Sequence, residues 1–150
     1  MVDKIFSALT SCLRGWRVLI VEDSWHIAMA VESLLEEAGM VIAGAAATAA
    51  HAERLASAHE PNVAVVDLKL RDGMAFGLIN RLHDLGIGVV VVSGFTTFSS
   101  SLEKVSAIVH KPFEGSELLS ALVRACCQSD DDGSPLAQGR RRSAAVLTEG

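Results

Sequence analysis

Positive charge is scarce in this sequence: 13 Lys and Arg stand against 18 Asp and Glu, for a formal net charge of −5. Three of those cations form the Arg140–Arg142 run near the end, which reads as solvated tail. Without Lys and Arg gathered on one face of a folded body, direct binding of DNA or RNA is disfavoured. Membrane-length apolar runs are also missing. The run Ile87–Val92 is strand length, far short of the roughly 20 residues that cross a bilayer. Met1 to Gly15 carries Asp3 and Lys4 and no continuous apolar stretch ending in small residues, so it makes a poor signal peptide and a cytoplasmic protein is expected. Cysteines number three, Cys12 far from the adjacent Cys126 and Cys127. That pattern is neither a disulfide framework nor a zinc site, and the expectation is reduced thiols, with Cys126 and Cys127 packing at a helix end. The histidines His26, His51, His59, His83 and His110 likewise lack metal-type spacing.

What is present is apolar and periodic. Half of the 150 residues are hydrophobic and 21% are charged, enough for one domain with a full core and too few residues for a second. From Arg17 onward, short β-branched runs alternate with longer amphipathic stretches, the rhythm of a parallel sheet covered by helices on both faces. Strands are expected at Arg17–Val21, Met40–Ala45, Asn62–Val66, Ile87–Val92 and Val105–Val109. Helices are expected at Trp25–Ala38, Thr48–Ala58, Met74–Asp84 and Ser116–Cys127, the first and third ended by Gly39 and Gly86 and the second before Pro61. Between Gly94 and Lys104 the residues are poor helix formers, so a fourth helix there is short, displaced or partly melted.

The domain boundaries follow from the same rhythm. Residues 16–128 form the domain, residues 1–15 an N-terminal extension, and residues 129–150 a flexible tail with opposite charge blocks. Within the extension, Ile5, Leu9 and Leu13 recur at helical spacing and suggest a short amphipathic helix that packs on the domain, on a partner or on a second copy.

In an open parallel sheet, ligands sit beyond the carboxyl ends of the strands. The first strand leads into Glu22-Asp23, the third into Asp67, the fourth into Ser93-Gly94, and the fifth, after His110, into Lys111-Pro112. Three carboxylates, a hydroxyl and an ammonium should therefore meet at one edge. Carboxylates gathered so closely repel one another unless a cation lies among them, and an oxygen-only set favours Mg²⁺. With such an ion, Asp67 can act as a nucleophile toward a phosphoryl donor, with Lys111 neutralising charge and Ser93 bonding a phosphoryl oxygen.

These residues resemble the receiver domains of two-component signalling, over about Trp16 to Cys127. Val18-Leu-Ile-Val-Glu22-Asp23-Ser24 is similar to the family's acidic first-strand motif, and Val65-Val-Asp67-Leu-Lys-Leu-Arg-Asp-Gly73 to its phosphoacceptor strand and loop. Val91-Val-Ser93-Gly94 resembles the hydroxyl-bearing fourth strand, and Lys111-Pro112-Phe113 the lysine before a cis-proline turn. The resemblance implies a flavodoxin-like (βα)5 fold with five parallel strands in the order 2-1-3-4-5. It implies that Asp67 accepts a phosphoryl group from a histidine kinase or histidine phosphotransfer protein. Glu22, Asp23, Asp67 and the backbone carbonyl of Lys69 would serve Mg²⁺. Output would run through protein contacts, with an unknown partner or a second copy, and the only catalysis would be of its own phosphorylation and dephosphorylation. Lys69 and Phe95 would set the lifetime of the phosphoryl group. The sequence departs from the family where an aromatic residue usually stands three before the lysine, for this chain has Ile108.

Each motif also has a plainer reading. Glu22-Asp23-Ser24 can cap the helix beginning at Trp25, Ser93-Gly94 is a common strand end, and Lys111-Pro112 is a common surface turn. Asp67 resists dismissal as a turn residue, because Asp72-Gly73 supplies the turn and cap signal nearer the next helix. A phosphatase of the haloacid-dehalogenase type needs a second acid two residues after its nucleophile, where this chain has Lys69. A dinucleotide binder needs a Gly-x-Gly-x-x-Gly after the first strand, and none is there. Two alternatives stay open: a phosphorylation-independent interaction module, and a phosphate sink that drains a kinase without an effector domain of its own.

Overall fold

The five expected strands are largely apolar, the middle three nearly throughout, as buried parallel strands are. In the computed structural model, which describes residues 10–94 and 105–127, they pair in parallel. The main sheet comprises β1 (Arg17–Val21), β2 (Val41–Ala46), β3 (Val63–Asp67), β6 (Gly88–Ser93) and β7 (Ala107–His110) in the order β2-β1-β3-β6-β7. A two-stranded antiparallel hairpin, β4 (Lys69–Leu70) and β5 (Gly73–Met74), follows β3 directly. Leaving the hairpin aside, the strand order is the expected 2-1-3-4-5 and the fold is the flavodoxin-like one.

Period-two alternation divides the sheet between two cores. Val18, Ile20, Val63, Val65, Val90 and Val92 face one cluster, which is closed by helix α1 (Trp25–Glu37) and helix α4 (Gly115–Cys127). Leu19, Val21, Ala64, Val66, Val89 and Val91 face the other, closed by helix α2 (Ala49–His59) and helix α3 (Phe76–Asp84). Fully burying each such side chain contributes roughly 1.5–3 kcal/mol, so the layered packing is the main source of stability.

Helix limits follow local chemistry. Ser24 caps α1 by accepting from the Ile27 N–H at 3.5 Å, and Thr48 caps α2 by accepting from the His51 N–H at 3.2 Å. Gly39, at φ +91°, and Glu60, at φ +48°, turn the chain out of α1 and α2 in the left-handed region. Helix α3 begins at Phe76 rather than Met74, because Gly73 and Met74 are taken up in the hairpin.

Before β1 lies a short 3-10 turn at Ser11–Leu13 whose Leu13 is fully buried against the first core. Of the helically spaced Ile5, Leu9 and Leu13, only Leu13 is described; Ile5 and Leu9 lie outside the described residues, as do the 95–104 region with Phe95 and the 129–150 tail. One expectation is overturned here. Cys12 and Cys127 are joined by a disulfide, because the turn before β1 and the end of α4 are neighbours in the fold although 115 positions apart in sequence. Cys126 is free and buried, as packing alone would have it.

Candidate functional site

The parallel sheet reverses its winding between β1 and β3, since β2 lies outside β1 and β6 and β7 lie outside β3. That switch point opens a crevice at the carboxyl ends of the strands. Glu22 and Asp23 follow β1 at its edge, and Asp67 is the last residue of β3. Backbone bonds fix each approach: the Glu22 N–H donates to the Ala46 carbonyl at 2.9 Å and the Leu68 N–H to the Val92 carbonyl at 3.0 Å. Ser93 closes β6 and is completely buried. Its carbonyl accepts from the Lys111 N–H at 2.8 Å, which carries the chain from β7 into the cis Lys111-Pro112 bond.

Around the crevice the side chains converge. Lys111 Nζ lies 3.2 Å from Asp67 Oδ2 and 3.4 Å from Glu22 Oε1. Glu22 Oε2 accepts from the Ser24 N–H at 3.1 Å, and Asp67 Oδ1 accepts a long bond from the Lys69 N–H at 3.4 Å. Glu22 and Asp67 are only 8% and 7% exposed, which forces their charge to be compensated by neighbours or by protonation. Burial, with the neighbouring Asp67 carboxylate, pushes the Glu22 carboxyl from its ordinary 4.5 up to about 7, against the opposing pull of the Ser24 N–H and Lys111. Burial alone would lower the Lys111 ammonium; Glu22 and Asp67 outweigh it and hold that group above its ordinary value.

The donor set suits a hard divalent cation. Among the described residues, Glu22, Asp23 and Asp67 offer carboxylate oxygens that all lie within 4.8 Å of one another. Three carboxylates with a single ammonium leave excess negative charge in a largely buried place, and oxygen ligands of this kind match Mg²⁺ better than a soft metal. The fold thus brings together Glu22, Asp23, Asp67 and Lys111, with Ser93 at the adjoining strand end. Lys69 stands at the start of the hairpin, two residues past Asp67.

Sequence reasoning missed two neighbours. Arg71 reaches back from the hairpin turn to donate to the Asp23 carbonyl at 3.4 Å. Asp72 does not cap its own following helix, whose N-cap Ala75 makes no side-chain bond. Instead its carboxylate accepts from the Ala49 N–H at 3.0 and 3.1 Å and from the Ala50 N–H at 3.4 Å, at the start of α2. Those amides hold the Asp72 carboxyl below its ordinary value. The tight hairpin turns Asp72 sideways onto α2, and only the Asp-Gly pair hinted at any turn.

Residues 18–123 match the family model described as the response regulator receiver domain. The chain belongs to that family. This receiver domain is 33% identical over 115 residues to the transcriptional regulatory protein PdtaR of Mycobacterium tuberculosis, covering 71% of the present chain. It spans 54% of the length of that relative. Among solved structures, it is similar to the response regulator PhyR of Brucella abortus, with a TM-score of 0.71 and 25% identity, over 85% of this chain and 54% of that one. It is also similar to the receiver domain of PhyR from Erythrobacter litoralis, with a TM-score of 0.68 and 26% identity, over 75% and 90% of the two chains. A CheY-like receiver from Methanospirillum hungatei gives 0.71 and 25%, over 79% and 98%. No helix among the described residues is long and apolar enough to cross a membrane.

Proposed function

We propose that this receiver domain is a phosphorylation switch in which Asp67 accepts a phosphoryl group from a histidine kinase or histidine phosphotransfer protein. The observation that carries the reading is the seating of Asp67 at the end of the central strand, bonded to Lys111 and flanked by two further acids. An Asp67 oxygen forms the new bond to phosphorus as the bond to the donor's imidazole nitrogen breaks, giving an acyl phosphate. Lys111 compensates charge on the transferring oxygens, and the Ser93 hydroxyl offers a hydrogen bond to one of them. Glu22, Asp23 and Asp67, with the Lys69 carbonyl, would hold Mg²⁺. When bound, that ion supplies further neutralisation of phosphoryl charge. The domain catalyses only its own phosphorylation and dephosphorylation, acts in the cytoplasm, and signals through contacts with an output protein or a second copy.

Intact-mass measurement after incubation with acetyl phosphate tests this, with and without Mg²⁺, on the parent and on Asp67→Asn. The expected result is a Mg²⁺-dependent gain of one phosphoryl group that Asp67→Asn abolishes. A parent that gains nothing from acetyl phosphate or from a phosphorylated histidine donor would refute the switch. It would leave the interaction module, the second reading, which Ile108 favours: this half-buried side chain on β7 packs against the second core, at the position where the resemblance to receiver domains implies an aromatic residue.

A further inference from the structure

The covalent link between Cys12 and Cys127 joins the turn before β1 to the end of α4. Beside Cys12, the fully buried Leu13 joins the cluster that also contains Leu118, Leu122 and Cys126. The bond therefore ties down a turn that is itself a piece of core. Beyond the turn, the Gly15 N–H donates to the Gly39 carbonyl at 2.8 Å and the Trp16 N–H to the Leu13 carbonyl at 3.0 Å.

We propose that Cys12–Cys127 is a thiol–disulfide exchange site for a dithiol reductant, and that its redox state decides how firmly the turn before β1 is clasped to α4. Cys12 is exposed and Cys127 is half-buried, so an incoming thiolate reaches the Cys12 sulfur first. Its attack forms a mixed disulfide with Cys12 and releases Cys127 as a thiolate, which takes up a proton. The second thiol of the reductant then attacks its own sulfur in that mixed disulfide and frees Cys12. Two electrons and two protons pass to the protein, and the dithiol leaves as a disulfide. Cys126 does not compete for either sulfur: it is buried, and burial pushes its thiol pKa up, so it stays protonated. Disulfides that serve only as staples belong mainly to small domains with insufficient cores, whereas this domain has a full cluster on each face of its sheet. Removing the bond should leave the fold standing and loosen one edge of it.

Cys126 provides the reporter. The full chain is equilibrated in dithiothreitol buffers of graded redox ratio, then alkylated under native conditions and, separately, in denaturant, with labels located by peptide mass. Two thiols, Cys12 and Cys127, should appear and vanish together and reversibly. On reduction, the native alkylation rate of Cys126 should rise roughly tenfold, and melting should fall by on the order of 10 °C. Cys12→Ser should show the raised Cys126 rate at every redox ratio. Free Cys12 and Cys127 throughout the oxidising range would overturn the proposal, and so would a bond that dithiothreitol breaks only in denaturant. Equal Cys126 rates in the oxidised and reduced parent would overturn the clasp.

Discussion

Glu22 shows how a single residue records the work of the crevice. Its carboxyl, moved by burial from 4.5 to about 7, binds a proton in the folded state across a range where the unfolded chain has already lost it. Folding stability must then fall as pH rises from about 4.5 to about 7, by about 3 kcal/mol in all. Above pH 7 the full penalty is present unless a cation shares the site. Denaturant titrations of the metal-free protein from pH 4.5 to 8 should therefore show this decline, Glu22→Gln should flatten it, and millimolar Mg²⁺ should restore stability chiefly at the upper end. A pH profile identical in parent and Glu22→Gln would contradict the burial argument. Lys111 acts in the opposite sense, since it is the sole ammonium paired with Glu22 and Asp67 among the described residues. Lys111→Met should leave two buried carboxylates without that partner and move the Glu22 midpoint higher still, readable by the same titration. It should also slow phosphoryl gain from acetyl phosphate by at least tenfold.

Among the elements, the β4–β5 hairpin is the one whose role depends on a distant neighbour. Asp72 bonds two amides at the start of α2, where a negative charge is favoured by the helix dipole. It thereby anchors the loop that follows Asp67 to a helix on the same face. Asp72→Ala should speed hydrogen exchange at the Ala49 and Ala50 amides and slow phosphorylation of Asp67, while Asp72→Asn, which keeps an acceptor oxygen, should recover most of both. Unchanged exchange at those amides would show that the cap contributes nothing. The five strands of the main sheet and the four described helices were legible in the sequence to within one or two residues, because β-branched runs, glycines and Ser or Thr caps are local signals, whereas the β4–β5 hairpin was missed. Where the candidate residues lie was legible for the same reason, since they end or follow strands: Glu22 and Asp23 at β1, Asp67 at β3, Ser93 at β6 and Lys111 at β7. Asp72 was misread because its bond partner lies 23 positions away. Cys12 and Cys127 were misread as free thiols because nothing in either neighbourhood shows that the two ends of the domain meet. Pairings of that kind belong to the tertiary fold, and periodicity has no access to them.

At the scale of the whole molecule, the question is whether two cores separated by a sheet form one cooperative unit. Every central strand feeds both clusters: in β3, Val63 and Val65 face one and Ala64 and Val66 the other. Neither cluster can melt while the strands between them stay ordered, so unfolding should be all-or-none. Trp16 packs against the first core, and its fluorescence reports that side. Ile20, in the first core, and Ile79, in the second, are both essentially buried, and Ile→Val at each should cost about 0.5–1.5 kcal/mol. Because the sheet stands between the two sites, the double variant should lose the sum to within about 0.5 kcal/mol. The decisive comparison is Ile79→Val, on the far face from Trp16: its urea midpoint by tryptophan fluorescence should shift as far as its midpoint by circular dichroism. A fluorescence midpoint that ignores Ile79→Val while the circular dichroism midpoint moves would mean that the two faces unfold separately. A signal received at the strand ends would then have no single rigid body through which to act.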